Sequence, residues 1–214
     1  MNKFLQTLKI PELRKKIVAV GVLLVIFRLF ASVPVPGIDS AKLQEFFASN
    51  QLFGFLNVFS GGGLNNLSIM MLGVGPYITS TIILQLLTII FPSLKKAYYE
   101  EGAEGRAKFN RISRLLTIPL AMLQGYGFLN LLVSKGVLQP MSLGGVFANI
   151  TIVTAGSIFL MWIGELISEY KISNGISLII FAGIVSGLPQ TIWSSILNYT
   201  PETLPTYIAF AVLS

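Results

Sequence analysis

The sequence predicts an all-α polytopic membrane protein: a bundle of five complete spans and the start of a sixth, with one short re-entrant helix. Three observations predict this class, namely an apolar composition, recurring long apolar stretches, and basic residues clustered between alternate stretches. The 214 residues are 53% hydrophobic and 11% charged, whereas soluble domains carry roughly 25% charged residues. A soluble protein of this size keeps roughly a third of its chain surface in water, so a mean hydropathy of +0.75 favours a lipid environment.

Five apolar stretches are long enough to cross a membrane, since a helical span needs about 20 residues at about 1.5 Å each. They cover residues 17–33, 68–91, 115–133, 147–167 and 176–197. We expect them to form one five-helix unit, 17–197, preceded by a segment 1–16. Segment 198–214 is expected to hold a loop and the start of a sixth span. That span is expected to be incomplete, because its apolar part, 207–214, is too short to cross a bilayer.

Basic residues set the expected orientation, because Lys and Arg concentrate in cytoplasmic loops. Five of them precede the first span, six lie between the second and third spans, and one lies between the fourth and fifth. The loops after the first, third and fifth spans hold only Lys42 and Lys135. Arg28 lies inside the first span. The N-terminal segment is therefore predicted to be cytoplasmic, and the loop after the fifth span external.

Segment 34–67 does not have the pattern of a simple loop. It begins polar, becomes apolar over 52–59 and then reads SGGG at 60–63. An apolar helix this short suits a re-entrant or interfacial element. Glycine-rich backbone at membrane depth persists only where protein or a water-filled cavity shelters it. The segment therefore indicates a cavity that opens toward the outer side.

Two pairs of aliphatic residues stand near the starts of predicted spans. Val74 and Ile78 are spaced i, i+4, as are Ile176 and Ile180, so each pair shares a helix face. Spacing alone is compatible with lipid contact or with a shared cavity. The first pair lies in the run GVGPYIT at 73–79, which is typical both of a simple kink and of the discontinuous helices that border pores.

Catalytic and metal-binding chemistry has no visible basis in the sequence. The chain has no Cys and no His, which excludes disulfides, Cys or His metal sites and histidine proton relays. It has no HExxH, GxSxG or phosphate-loop motif and no pair of acids inside the spans. We therefore expect no enzyme, metal site or cofactor. The amide of Gln85, deep in the second span, is expected to be buried against a partner on another helix.

Several stretches, in order along nearly the whole chain, resemble the SecY family, which forms the protein-conducting channel of the Sec translocon. They are FR at 27–28, VPVPGI at 33–38, FSGG at 59–62, GVGPYIT at 73–79, ILQLL at 83–87, EG at 101–102, GR at 105–106, MWIGE at 161–165 and ISNGISLIIFAGI at 172–184. Each stretch is weak alone, but the ordered set is specific. It is most similar to the bacterial and plastid branch.

The resemblance implies ten membrane helices in two inverted halves that close like a clamshell, of which this chain supplies the N-terminal half. It implies a plug at 52–66 whose apolar side chains are Leu52, Phe53, Phe55, Leu56, Val58, Phe59 and Leu64. It also implies a pore ring of aliphatic side chains, to which this half contributes Val74, Ile78, Ile176 and Ile180. The second span would form one side of a lateral gate, with Thr79 and Gln85 near its seam.

The implied function is passage of unfolded secretory polypeptides across the membrane and sideways release of membrane segments into lipid. The implied partners are the membrane subunits SecE and SecG, together with the SecA motor ATPase or a translating ribosome. The bacterial and plastid branches imply the plasma membrane or the thylakoid membrane. The basic loop with Arg106, Lys108 and Arg111 is expected to be cytosolic, either solvated or in contact with lipid headgroups or a partner. No sequence-specific binding of nucleic acid is expected.

Three other interpretations make different demands on the sequence. Half of an inverted-repeat secondary transporter needs a polar or charged site at the membrane midplane, where the sequence offers only Gln85 and hydroxyl groups. An intramembrane enzyme needs a paired nucleophile and base within the spans. A purely structural membrane scaffold meets the composition but does not account for the plug-like segment.

Overall fold

The computed structural model describes residues 11–35 and 67–197, with the side chains of all of these except residues 97 and 188–197. Within those ranges the helical elements are six α-helices. They are α1 (Pro11–Ala31), α2 (Gly75–Ile90), α3 (Pro92–Tyr99), α4 (Gly102–Ser134), α5 (Leu143–Glu169) and α6 (Gly175–Leu197). The predicted all-α class is confirmed for this part of the chain.

Each of the five predicted apolar stretches overlaps one of the longer helices. Among the described residues, α4 and α5 are long and apolar enough to cross a membrane. The apolar helix α2 is shorter, with 16 residues, or about 24 Å at the usual helical rise. α1 has 21 residues and carries charges at both ends, from Glu12 to Arg28. The number of five complete spans therefore stays a prediction.

The start of α2 differs from the predicted second span. The sequence predicts a helix from residue 68, but residues 67–74 form successive turns and α2 begins at Gly75. Gly73 has a φ of 57°, a left-handed conformation that interrupts a right-handed helix. Pro76, in the first turn of α2, has no N–H to donate and suits a helix start. Hydropathy over 68–91 is continuous and cannot distinguish a buried turn from a helix.

The sequence predicts that the basic residues between the second and third spans lie in a loop, and this prediction is wrong. Arg106, Lys108 and Arg111 lie exposed on the first three turns of α4, which begins at Gly102. Tertiary packing extends the helix, because buried residues recur every four positions along it and face its neighbours α2, α3 and α5. These residues are Gly105, Phe109, Ser113, Thr117, Ala121, Gly125 and Leu129.

Two apolar clusters form the core of the described part. One joins α1, α5 and α6 around Phe27, Leu160 and Ile163. The other joins α4 and α5 to the turns at 67–74 and to the chain after α1, around Leu132. An antiparallel bridge pairs Pro34 with Ser68, so the two chain segments that flank residues 36–66 lie side by side at one edge of this second cluster.

Large apolar side chains also cover much of the outer surface. Leu143 is 92% exposed, Ile89 79% and Leu123 67%. Monomeric soluble proteins rarely expose contiguous apolar surface of this kind, and such surface marks contact with membranes or other proteins. The surface therefore agrees with the lipid environment predicted from the composition.

Candidate functional site

An open cavity of about 720 Å³ lies between α2, α4, α5 and α6. One wall is a single face of α2, because the lining residues Tyr77, Ile78, Thr81, Ile82 and Gln85 recur at helical spacing. The other walls come from the N-terminal part of α4, the C-terminal part of α5 and the N-terminal turns of α6. In the orientation predicted from the basic residues, these three helix ends belong to the cytoplasmic side.

Three of the four predicted pore residues lie on this cavity. Ile78 reaches it from α2, and Ile176 and Ile180 reach it from successive turns of α6. All three are partly exposed, and all three also pack against the same apolar cluster. Two helices that are far apart in the sequence therefore present branched aliphatic side chains to one opening.

Val74, the fourth predicted pore residue, does not line the cavity. It lies one helical turn before Ile78 and is 5% exposed, inside the cluster that Ile78, Ile176 and Ile180 contact from the side. Its position at the end of the buried turns at 67–74 explains this burial. In the described part of the chain, Val74 supports the other three residues from behind.

The two residues predicted for the lateral gate face different directions. Gln85 is exposed to the cavity, so the prediction that its amide is buried is wrong. Thr79 points toward α4 instead, where Gln124 Nε2 lies 3.5 Å from its Oγ1. The hydroxyl of Thr79 also donates to the Gly75 carbonyl at 3.0 Å. Thr79 therefore belongs to the α2–α4 contact rather than to the cavity wall.

Polar groups line the cavity beyond the isoleucines. Arg114 on α4 forms an ion pair with Glu165 on α5, and both line the opening. The polar part of the lining also includes Asn110, Ser168, Glu169, Asn174 and Ser177. The isoleucines of α2 and α6 therefore share the opening with charged, amide and hydroxyl groups from the elements that surround it.

The crossing of α5 and α6 is a part of the site that sequence reasoning missed. Gly164 and Gly175 are both buried where the two helices touch, and a Cβ on Gly175 would overlap the Gly164 carbonyl oxygen. Ser168 bridges the same two residues by hydrogen bonds. The motif letters WIGE and SNGIS contain these glycines, but their contact is visible only once the helices are packed.

Some predicted site residues lie outside the cavity or outside the described residues. The predicted plug residues, within 52–66, lie outside the described residues. Arg106, Lys108 and Arg111 do not line the cavity; Lys108 contacts Glu101 at 3.5 Å and Glu104 at 3.7 Å. In the ranges 11–35 and 67–197, no group of three or more acidic side chains is placed to hold a metal ion.

Comparisons with known proteins agree with this architecture. A similar relative is the protein translocase subunit SecY of Streptomyces galbus, with 38% identity over an alignment of 208 residues; the match covers 91% of this chain and 47% of the relative. A solved structure described as a protein conducting channel matches 91% of this chain and 40% of its own, with a TM-score of 0.55 and 24% identity. Sec61 from the canine ribosome-channel complex of the endoplasmic reticulum matches with a TM-score of 0.51 and 23% identity.

The chain spans about half the length of the curated relative it matches. At these identities the two solved structures show the fold, in agreement with the six helices described above. The family model of SecY matches residues 68–214, which is more than half of the sequence and includes every element that lines the cavity. The chain therefore belongs to the SecY family, a family of membrane proteins.

Proposed function

We propose that this chain is a subunit of a protein-conducting channel, and that its cavity is one side of the path of the translocating polypeptide. The observation that carries the proposal is the convergence of Ile78, Ile176 and Ile180 on one open, polar-walled cavity. The relative from Streptomyces galbus is a protein translocase subunit, and one structural neighbour is a protein conducting channel. Neither an enzyme nor a secondary transporter is favoured by an observation of this kind.

The isoleucines suit a barrier that opens for peptides and closes to ions. A narrow ring of branched aliphatic side chains excludes water when nothing fills it, and so blocks ions by dewetting. Such a ring makes no hydrogen bonds, so it does not select among the side chains of a passing peptide. In this proposal Ile78, Ile176 and Ile180 face the path, and Val74 supports them from the core.

The exposed face of α2 suits sideways release of apolar segments. Ile82 and Gln85 line the cavity, while Leu86 and Ile89 are exposed farther along the same helix. A substrate segment beside α2 would exchange water for lipid at a few tenths of a kcal/mol per apolar residue. Summed over a span of about 20 residues, this partitioning decides between insertion and secretion, with α2 as one side of the gate.

The remaining parts of the proposal rest on the family and on the charge pattern. We propose a cytoplasmic N-terminus in the plasma membrane, or in the thylakoid membrane for a plastid protein, and a second inverted half that completes the ring. The partners are SecE, SecG and either SecA or a translating ribosome. The exposed Arg106, Lys108 and Arg111 are a contact surface for lipid headgroups or for such a partner. The role of residues 52–66 as a plug belongs to the same proposal.

Site-specific photocross-linking tests this function. A photoreactive residue is placed at Ile78 or at Ile180 in the intact membrane complex, and a radiolabelled secretory polypeptide is stalled during transport. Leu123 on α4 is the control, because it is 67% exposed and does not line the cavity.

We expect strong adducts at Ile78 and Ile180 and none at Leu123. Adducts that appear equally at all three positions would show contact without a defined path. If neither cavity position reacts while the polypeptide remains bound to the complex, the cavity is not the path and the proposal fails.

A further inference from the structure

The backbone of the first turn of α6 packs directly against the backbone of α5. Gly175 begins α6 and lies against Gly164, so closely that a Cβ on Gly175 would overlap the Gly164 carbonyl oxygen. Because the obstacle is backbone, no side-chain movement relieves it. The residue that follows Gly175 is Ile176, which faces the cavity.

A hydroxyl group fixes the same crossing. Ser168 Oγ donates to the Gly164 carbonyl oxygen at 2.9 Å and accepts from the Gly175 amide at 2.8 Å. The single proton of the hydroxyl is used in the first bond and a lone pair in the second, so both can form together. Asn174 caps the start of α6, since its Oδ1 accepts from the Ser177 amide at 3.1 Å.

The missing side chain of Gly164 makes room for Ile176. A Cβ at position 164 would lie 2.5 Å from Ile176 Cδ1 and 3.3 Å from Ile179 Cδ1. Real Cβ atoms do not approach a non-bonded heavy atom as closely as 2.5 Å, so either the new Cβ or Ile176 Cδ1 would have to move. Ile176 Cδ1 is the end of a flexible side chain, so a methyl group at 164 would turn this side chain while leaving the helix crossing in place.

We propose that Gly164 and Ser168 are positioning residues for the pore barrier: together they set where Ile176 projects into the cavity. Gly164 leaves the space that the δ-methyl group of Ile176 occupies, and Ser168 ties the turn that carries Ile176 to α5. This inference rests on the proposed function, because it assigns a role to Ile176 in the barrier.

The test uses the intact channel complex and two measurements, the ion leak of the resting channel and the thermal unfolding of the complex. Gly164→Ala is compared with Gly164→Ala combined with Ile176→Val, which removes the Cδ1 atom that would clash. Ile176→Val alone gives the reference for the double variant. Gly127→Ala is the matched control, because nothing lies within 4 Å of a Cβ there and Gly127 is outside the cavity lining.

We expect Gly164→Ala to unfold near the temperature of the unaltered complex and to leak ions severalfold more. Adding Ile176→Val should return the leak to the level of Ile176→Val alone. Ser168→Ala should also leak, and Ser168→Thr, which keeps the hydroxyl, should not. Gly127→Ala should change neither measurement.

Two results would overturn the inference. One is a Gly164→Ala channel that leaks no more than the control, and the other is a leak that Ile176→Val does not reverse. Ile176→Ala separates this failure from a failure of the proposed function. If Ile176→Ala leaks and the cross-links at Ile78 and Ile180 form, only the inference is wrong. If Ile176→Ala does not leak and no cross-links form, the pore assignment itself is wrong.

Discussion

Gly156→Ala is expected to destabilise the protein, because α5 touches backbone at this position. A Cβ on Gly156 would overlap the Ile69 carbonyl oxygen and lie 2.8 Å from its carbonyl carbon. Overpacking a buried site costs about 1–3 kcal/mol, and we take the upper end because Ile69 belongs to the buried turns at 67–74. Alanine recovers about 1 kcal/mol of helix propensity. The net loss is about 2 kcal/mol, or a melting temperature lower by about 4–8 °C for a chain of this size.

Thermal unfolding in detergent micelles, followed by circular dichroism, measures this loss. Two alanine variants on α4 provide a graded comparison. A Cβ at Gly127 has no neighbour within 4 Å, and one at Gly125 would lie 3.8 Å from Leu72 Cδ1, an ordinary contact. We expect these two variants to melt at or slightly above the original temperature. If Gly156→Ala has the same melting temperature as these two variants, the close packing of α5 on the turns at 67–74 is refuted.

Two hydroxyl groups lead to smaller effects in the same assay. Ser142→Ala removes the cap of α5, where Ser142 Oγ accepts from the Gly145 amide at 3.3 Å, and should cost about 1 kcal/mol; Ser142→Asp, which keeps an acceptor, should retain most of the stability. Ser80→Ala removes a buried hydroxyl of α2 whose Oγ lies 3.0 Å from both Thr117 Oγ1 and the Ser113 carbonyl oxygen on α4. It should cost only about 0.6 kcal/mol, the average measured for interhelical hydrogen bonds in one membrane protein, because Thr117 still donates to the Ser113 carbonyl oxygen at 2.7 Å. Unaltered melting of Ser142→Ala, or a loss for Ser80→Ala as large as that for Gly156→Ala, would contradict these assignments.

Hydropathy was sufficient for the helices whose whole length is apolar. The stretches 147–167 and 176–197 lie inside α5 and α6 or differ from them by one residue at an end. Hydropathy was insufficient at the start of α2, because the turns at 67–74 are as apolar as a helix and are stabilised by tertiary burial. It also missed the first turns of α4, where charged residues with good helix propensity resemble a polar loop.

The candidate site was predictable in its residue types but not in its arrangement. The i, i+4 spacing of Ile176 and Ile180 gives a shared helix face, and the family resemblance assigns that face to a pore. Neither spacing nor resemblance indicates that Val74 is buried while Ile78 is exposed to the cavity, because that depends on where α2 begins. The roles of Gly164 and Ser168 depend on a helix crossing that no local pattern contains.

Cysteine labelling tests most directly whether the cavity is an aqueous path for polypeptides. The chain has no native Cys, so a single engineered Cys reports on one position. Ser177 is exposed and lines the cavity. Phe181 is the matched control, since it is 61% exposed on the same helix but outside the lining.

A membrane-impermeant thiol reagent is added from the cytoplasmic side, with and without a stalled translocating polypeptide. We predict that Cys at 177 is labelled in the resting channel and protected by the polypeptide, while Cys at 181 is unlabelled in both. Equal labelling of Cys at 177 with and without the polypeptide would contradict an aqueous path for polypeptides through the cavity.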